Sequence, residues 1–246
     1  MDERLTKKQL KEQRKLENLK KMEESQTSSG SFGKIIIIGV VILLFLGLAA
    51  YLFVSSKIAQ KERAEKPVSL SDSGQKIGSE SAKITLIEFG DFQCPACKVR
   101  EPALKQVREV YKDDVLFIFK HFPLRVPHPN AMPAAIAAEA AGRQGKFWQF
   151  HDLLYERQDE WASLPSAKEK FVEYASELEL DTEKFSKDLS DSSIETLINE
   201  QNDEGIKAGV SGTPAFFLNG KPINIGASFD DFKKEIDDVI SKLPQQ

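Results

Sequence analysis

The sequence predicts an α/β domain that carries an inserted helical subdomain and is preceded by a single transmembrane helix. Three observations lead there. Residues 35–54 (IIIIGVVILLFLGLAAYLFV) hold no charge. Two β-type runs at 83–89 and 115–119 bracket a helical pattern. A helical stretch from 128 to 209 then separates them from a second pair of β-type runs at 214–218 and 221–225. Strand, helix, strand makes a right-handed parallel unit the default. Helices lying between two halves of one such sheet form a subdomain inserted into it.

Residues 1–33 read as a charged cytoplasmic tail, dense in Lys, Glu and Gln. Leu5, Leu10, Leu16, Leu19 and Met22 are only loosely helical in spacing, and no heptad is sustained, so a coiled coil is not supported. Residues 25–33, rich in Ser, Thr and Gly, read as a hinge. The run at 34–54 is the transmembrane helix, because about twenty apolar residues at 1.5 Å each span the roughly 30 Å hydrocarbon core. A cleaved signal peptide is the alternative, but its apolar region is shorter, and Ser55-Ser56-Lys57 is no Ala-x-Ala site. Nine basic residues (Arg4, Lys7, Lys8, Lys11, Arg14, Lys15, Lys20, Lys21, Lys34) precede the span, and Lys57, Lys61, Arg63 and Lys66 follow it. That bias puts the N-terminus in the cytoplasm and the remainder outside. Residues 55–80 read as a polar linker and 81–246 as the folded domain, with the helical insertion at about 128–209.

Charge divides unevenly along the chain. Through Lys66 there are 13 Lys+Arg against 8 Asp+Glu, and beyond it 21 against 30. A domain with that acidic excess is a poor partner for nucleic acid, which rewards basic patches. The whole chain's apolar content of 41% is enough for a sizeable core.

The chain's chemistry concentrates in residues 83–100, KITLIEFGDFQCPACKVR. Ile84, Thr85, Leu86, Ile87 and Phe89 form a buried-strand pattern interrupted only by Glu88, and Gly90-Asp91 breaks it. Pro95 suits a first helical turn, and Val99, Ala103, Leu104 and Val107 continue at helical spacing. Cys94 therefore stands at a helix N-terminus, where partial positive charge and free N–H donors lower a thiol pKa toward the reactive range. Cys97, one turn on, can close a small disulfide with it. Cys94 is expected to be the exposed attacking sulfur and Cys97 the buried resolving one. Half of a zinc site is the competing reading, but His121, His128 and His151 form no H-x3-5-H pair. His121 is expected at a strand end near the surface, and Trp148 and Trp161 in the core. Asn219-Gly220 is a two-residue hairpin turn, and Pro222 assigns the second strand of that hairpin to an edge. Phe229, Phe232, Ile236, Val239, Ile240 and Leu243 mark a final amphipathic helix.

With Glu88-Phe89-Gly90-Asp91-Phe92-Gln93, Cys94-Pro95-Ala96-Cys97 and the distant Gly209-Val210-Ser211-Gly212-Thr213-Pro214-Ala215-Phe216-Phe217, the chain resembles the DsbA-like branch of the thioredoxin superfamily, from about residue 78 to 243. The resemblance implies a thioredoxin-like fold and a membrane-anchored thiol-disulfide oxidoreductase that introduces disulfides into exported, cysteine-containing polypeptides. It implies no cofactor beyond the Cys94-Cys97 disulfide, and reoxidation by a membrane thiol oxidase. Residues 35–54 would contact the bilayer. Glu88, six residues before Cys94, matches the family's buried acid that exchanges a proton with the resolving cysteine; the alternative is an outward edge charge. Thr213-Pro214 matches the family's cis-proline, which presents backbone to the incoming peptide. Pro95 agrees with the best-known oxidases, whereas Ala96 replaces their histidine and brings no polar group to the Cys94 thiolate. Reductase or isomerase chemistry therefore stands beside oxidation, and a tethered binding module without redox turnover is the reading from another class.

Overall fold

The computed structural model describes residues 7–65 and 67–243, which fall into two compact units that divide after Arg63. The first unit is carried by one helix, α1 (Lys7–Glu65). Within it Ile37–Ser56 is long and apolar enough to cross a membrane, with a mean hydropathy of 2.9, and none of its described side chains is buried. Residues 25–33, expected to be a hinge, are helical backbone. Ser and Gly weaken a helix without removing the N–H that its ladder needs, and no proline interrupts the stretch.

The second unit is built on a five-stranded sheet in the order β1-β3-β2-β4-β5. These strands are β1 (Gln75–Ile77), β2 (Ile84–Gly90), β3 (Val115–His121), β4 (Ala215–Leu218) and β5 (Lys221–Ile223). β2 and β3 run parallel, joined by α2 (Pro95–Val110), and every other pair is antiparallel. The β4–β5 hairpin turns at Asn219 and Gly220, both at positive φ (49° and 76°), as that tight turn requires. Pro222 lies on β5, at the sheet edge where a missing N–H costs no ladder bond.

Between β3 and β4 the chain makes α3 (Ala131–Gly142), α4 (Phe147–Glu156), α5 (Gln158–Trp161), α6 (Lys168–Glu177), α7 (Thr182–Asp188) and α8 (Ser192–Lys207). The last helix, α9 (Phe229–Ser241), opens with a capping box of Ser228 and Asp231. Side-chain alternation sorts the sheet into two faces. Ile84, Leu86, Phe117, Phe119, Phe216 and Leu218 join the larger core with α2, α9 and the inserted helices. Ile87, Phe89, Ile118 and Phe217 form a smaller core on the opposite face. Trp161 is fully buried and donates to Leu154 O at 2.9 Å, whereas Trp148 is partly buried against the same core.

The domain begins earlier than residue 81. Gln75, Lys76 and Ile77 pair with Phe119, Ile118 and Phe117 as an edge strand. Upstream, Val68 N donates to Gly220 O at 2.8 Å, and Val68 and Leu70 pack on the smaller core. Lys120, with no exposed surface, donates its ammonium to Ser71 O and Ser71 Oγ at 2.9 Å and to Glu204. The segment read as linker is thus tethered from Val68 onward by backbone pairing and one buried ammonium, which polar side chains do not advertise.

Candidate active site

β2 is the central strand and ends where α2 begins, so its alternation decides what faces the sulfurs. Glu88 is two residues from Leu86 and four from Ile84, hence on the larger-core face. It is 1% exposed, and neither carboxylate oxygen has a hydrogen-bond partner on the protein. Burial first, and then the negative charge of Glu101, hold its pKa well above the ordinary carboxylate value. Arg108 and Arg100 oppose that shift. The outward-charge alternative for Glu88 is excluded by this placement.

Cys94 is the N-cap residue of α2 and Pro95 follows it in the first turn. The Cys94 carbonyl accepts the N–H groups of Cys97 and Lys98, both at 3.2 Å, which leaves its sulfur at the start of the helix. Both cysteines are free thiols. The Cys97 S–H, Thr213 and the backbone N–H groups of Cys97 and Ala96 lower the Cys94 pKa to about 5 against the opposing cost of burial, the Cys97 hydrogen bond being the largest cause. Cys97 moves the other way: burial first, then its bond to Cys94 and the charge of Glu88, push its pKa well above an ordinary thiol's.

Cys94 is less open than the sequence suggests. It is 6% exposed against 1% for Cys97, so the order of burial is as expected while the Cys94 side chain is nearly covered. The cause is the segment before β4: Cys94 Sγ lies 3.4 Å from Thr213 O, and the Thr213–Pro214 peptide is cis. Residues 119 positions apart in the chain thereby share one site. His121 departs further from expectation. It is 1% exposed, its Nε2 lies 2.9 Å from Glu139 Oε1, and its backbone N–H donates to Gln201 Oε1 at 2.7 Å. The inserted helices α3 and α8 cover the end of β3, which a strand pattern alone does not announce.

Polar side chains around the cysteine loop hold it in place, among them several that the sequence does not mark. Asp91 accepts Gln93 N at 2.7 Å and Leu124 N at 2.9 Å, and lies 2.7 Å from His128 Nδ1. Gln93 donates to Ala162 O and accepts Asn130 N, each at 2.7 Å. Buried Gln158 donates to Phe92 O at 2.7 Å and Cys94 O at 3.1 Å. These bonds fasten the cysteine loop to the inserted helices. Beside them Arg108 donates to Glu101 at 2.6 Å and Asp152 at 3.0 Å, filling with a guanidinium the place where Glu101, His151 and Asp152 otherwise have metal-ligand spacing.

Comparison with known proteins places this geometry in a family. A family model described as thioredoxin matches residues 71–238. The probable disulfide bond formation protein D of Bacillus cereus is 31% identical over 220 residues, covering 84% of this chain and 95% of that protein. A Na(+)/H(+) antiporter NhaA 1 of Salinispora arenicola is 42% identical over 146 residues, 58% of this chain, yet this chain spans only 21% of that protein's length. In fold, BdbD from Bacillus subtilis superposes with a TM-score of 0.63 at 23% identity, covering 72% of this chain and 99% of that one. Wolbachia pipientis alpha-DsbA1 gives 0.61 at 22% identity, covering 70% and 94%. The chain belongs to the thioredoxin family and, with it, to the family of the disulfide bond formation protein D.

Proposed function

We propose that the chain is a membrane-tethered, extracytoplasmic oxidase that introduces disulfides into exported polypeptides. The observation that carries the reading is the opposite displacement of the two thiols, Cys94 lowered to about 5 and Cys97 raised by burial. Stabilising the Cys94 thiolate stabilises the reduced protein, which makes the couple oxidising. This favours oxidation over the reductase and isomerase alternatives, and it is achieved with Ala96 beside the sulfur through Cys97 and backbone donors.

A substrate thiolate attacks Cys94 Sγ, the Cys94–Cys97 bond breaks, and Cys97 leaves as a thiolate that takes a proton from Glu88. The substrate's second thiolate then attacks its own sulfur in the mixed disulfide, and Cys94 departs as a stable thiolate. Two electrons have passed from substrate to enzyme. Thr213 and Pro214 present backbone to the substrate, and Pro95 starts the helix that holds Cys94. Reoxidation falls to a membrane thiol oxidase, with no cofactor beyond the disulfide. The span 35–54 is the anchor, and the bias of basic residues before it keeps the N-terminus inside.

The test uses the oxidised full chain in detergent micelles with a reduced two-cysteine peptide. Peptide oxidation is expected, and Cys97→Ser in cells accumulates mixed disulfides with exported proteins while Cys94→Ser does not. Equal trapping by both variants removes the assigned roles. Protease added to protoplasts is expected to digest the domain and spare the tail; the reverse pattern overturns the orientation.

A further inference from the structure

Cys94 ends a short turn that begins at Asp91, and the turn is held from a segment that takes no part in the exchange. Asp91 is 2% exposed. Its carbonyl accepts Cys94 N–H at 3.0 Å and its Oδ1 accepts Gln93 N–H at 2.7 Å, so one residue closes the turn through both backbone and side chain. Its Oδ2 accepts Leu124 N–H at 2.9 Å and lies 2.7 Å from His128 Nδ1. From the same segment Asn130 N–H donates to Gln93 Oε1 at 2.7 Å. Among the described residues, His128 is the one basic side chain within ion-pair distance of this buried carboxylate.

The segment between β3 and α3 is stiff. Pro123, Pro127 and Pro129 each fix φ and withhold an N–H. His128 N–H donates to Leu124 O at 2.9 Å and its carbonyl accepts Ala131 N–H at 3.1 Å, which fixes the backbone that carries the ring. The His128 side chain is 17% exposed, so its bond to Asp91 is largely shielded from water. Both Asp91 oxygens already accept backbone N–H groups, so Asp91 meets the imidazole as an acceptor and the ring proton lies on Nδ1.

We infer that His128 is a positioning residue for thiol-disulfide exchange: its Nδ1–H anchors Asp91, and Asp91 holds the turn that aims the Cys94–Cys97 bond at the incoming sulfur. The inference rests on reading Cys94 and Cys97 as the exchanging pair, in whichever direction electrons run. In the exchange a substrate thiolate forms a bond to Cys94 Sγ, the Cys94–Cys97 bond breaks, and its electron pair goes to Cys97 Sγ. Displacement at sulfur needs the attacking, central and leaving sulfurs close to one line, so a small rotation of the turn costs rate although the sulfurs themselves are unchanged. Leu124 and Asn130 hold the turn with backbone N–H groups, which most residues would supply equally well. The His128 bond comes from a side chain, so it depends on which residue stands at 128.

Two amides separate the donor from the bulk of the ring. His128→Asn places an N–H where Nδ1 stands, whereas His128→Gln places it at the reach of Nε2, away from Asp91. With the oxidised full chain in micelles and a reduced two-cysteine peptide, His128→Gln is expected to lower kcat by about ten- to a hundredfold with KM unchanged, and His128→Asn to keep the wild-type kcat. Wild-type rates in both variants overturn the inference. Equal slowing in both assigns His128 to packing, and slowing in His128→Asn alone puts the donor on the other nitrogen; either result overturns it as well. Should a variant fail to fold, nitrogen NMR of the wild-type chain carrying labelled histidine decides: a neutral His128 ring with its proton on Nδ1 supports the anchor, and a proton on Nε2 overturns it. If the wild type does not oxidise the peptide, while its reduced form reduces a disulfide peptide with the same order among the variants, the proposed function fails and the anchor stands. Normal peptide oxidation by the wild type and by His128→Gln sinks the anchor alone.

Discussion

Replacing Cys97 by alanine isolates the contact that most lowers the Cys94 pKa. The Cys97 hydrogen bond is the largest of the causes that bring Cys94 to about 5. A hydrogen bond to a charged group contributes about 1.5–3 kcal/mol, and one pKa unit corresponds to about 1.4 kcal/mol. Cys94 is only 6% exposed, so water does not fully take over the lost donor. Cys97→Ala should therefore raise the Cys94 midpoint by about one to two units. The assay is ultraviolet thiolate absorbance across pH 3–10, in which the variant has a single thiol to titrate. Cys97→Ser retains a donor and should stay near the wild-type value. A Cys97→Ala midpoint equal to wild type would refute the hydrogen-bond origin of the shift, and a Cys97→Ser midpoint as high as that of alanine would assign the shift to packing instead.

Glu88→Gln should slow turnover by about tenfold or more, since the amide cannot exchange a proton with Cys97. Its stability carries a sign as well. A carboxyl whose folded pKa is raised loses stability as pH climbs from the unfolded value toward the folded one, so the variant should unfold at a higher temperature than wild type at pH 8 and match it more closely at pH 4; the opposite ordering would mean that Glu88 is stabilised as a carboxylate. Gln158→Leu should cost about 1–3 kcal/mol by stranding the Phe92 carbonyl, lowering the unfolding midpoint by about 2–10 °C. An unchanged midpoint would remove Gln158 from the supports of the cysteine loop.

The parts of this site that were legible in the sequence are those set by local periodicity. Alternation from Ile84 and Leu86 puts Glu88 on the face of the larger core, and Pro95 followed by helical spacing puts Cys94 at a helix start. Cys94 and Thr213 come together only through the pairing of β2 with β4, and here the family resemblance supplied what spacing could not. Gln158 and Asn130 are polar residues of ordinary appearance whose partners lie 31 to 66 positions away. Nothing local distinguishes them from solvent-facing side chains. His121 departs from its expected surface position for the same reason: its burial is decided by Glu139 and Gln201 on the inserted helices. β1 carries no strand pattern in its sequence, because an edge strand of Gln-Lys-Ile is held by backbone bonds to β3.

The direction of the reaction is the central claim, and a glutathione redox titration of Cys94–Cys97 tests it most directly. A thiolate lowered to about 5 favours the reduced form at pH 7 by about 2–3 kcal/mol. This term is complete above the unfolded thiol's value and is lost as pH falls through about 5. At about 30 mV per 1.4 kcal/mol it moves the potential by about 40–60 mV toward oxidation. The midpoint is expected about 40–60 mV above the roughly −270 mV of thioredoxin, and to lose this extra oxidising power as the pH is lowered past 5. A midpoint at or below about −270 mV would contradict the account and make the protein a reductase.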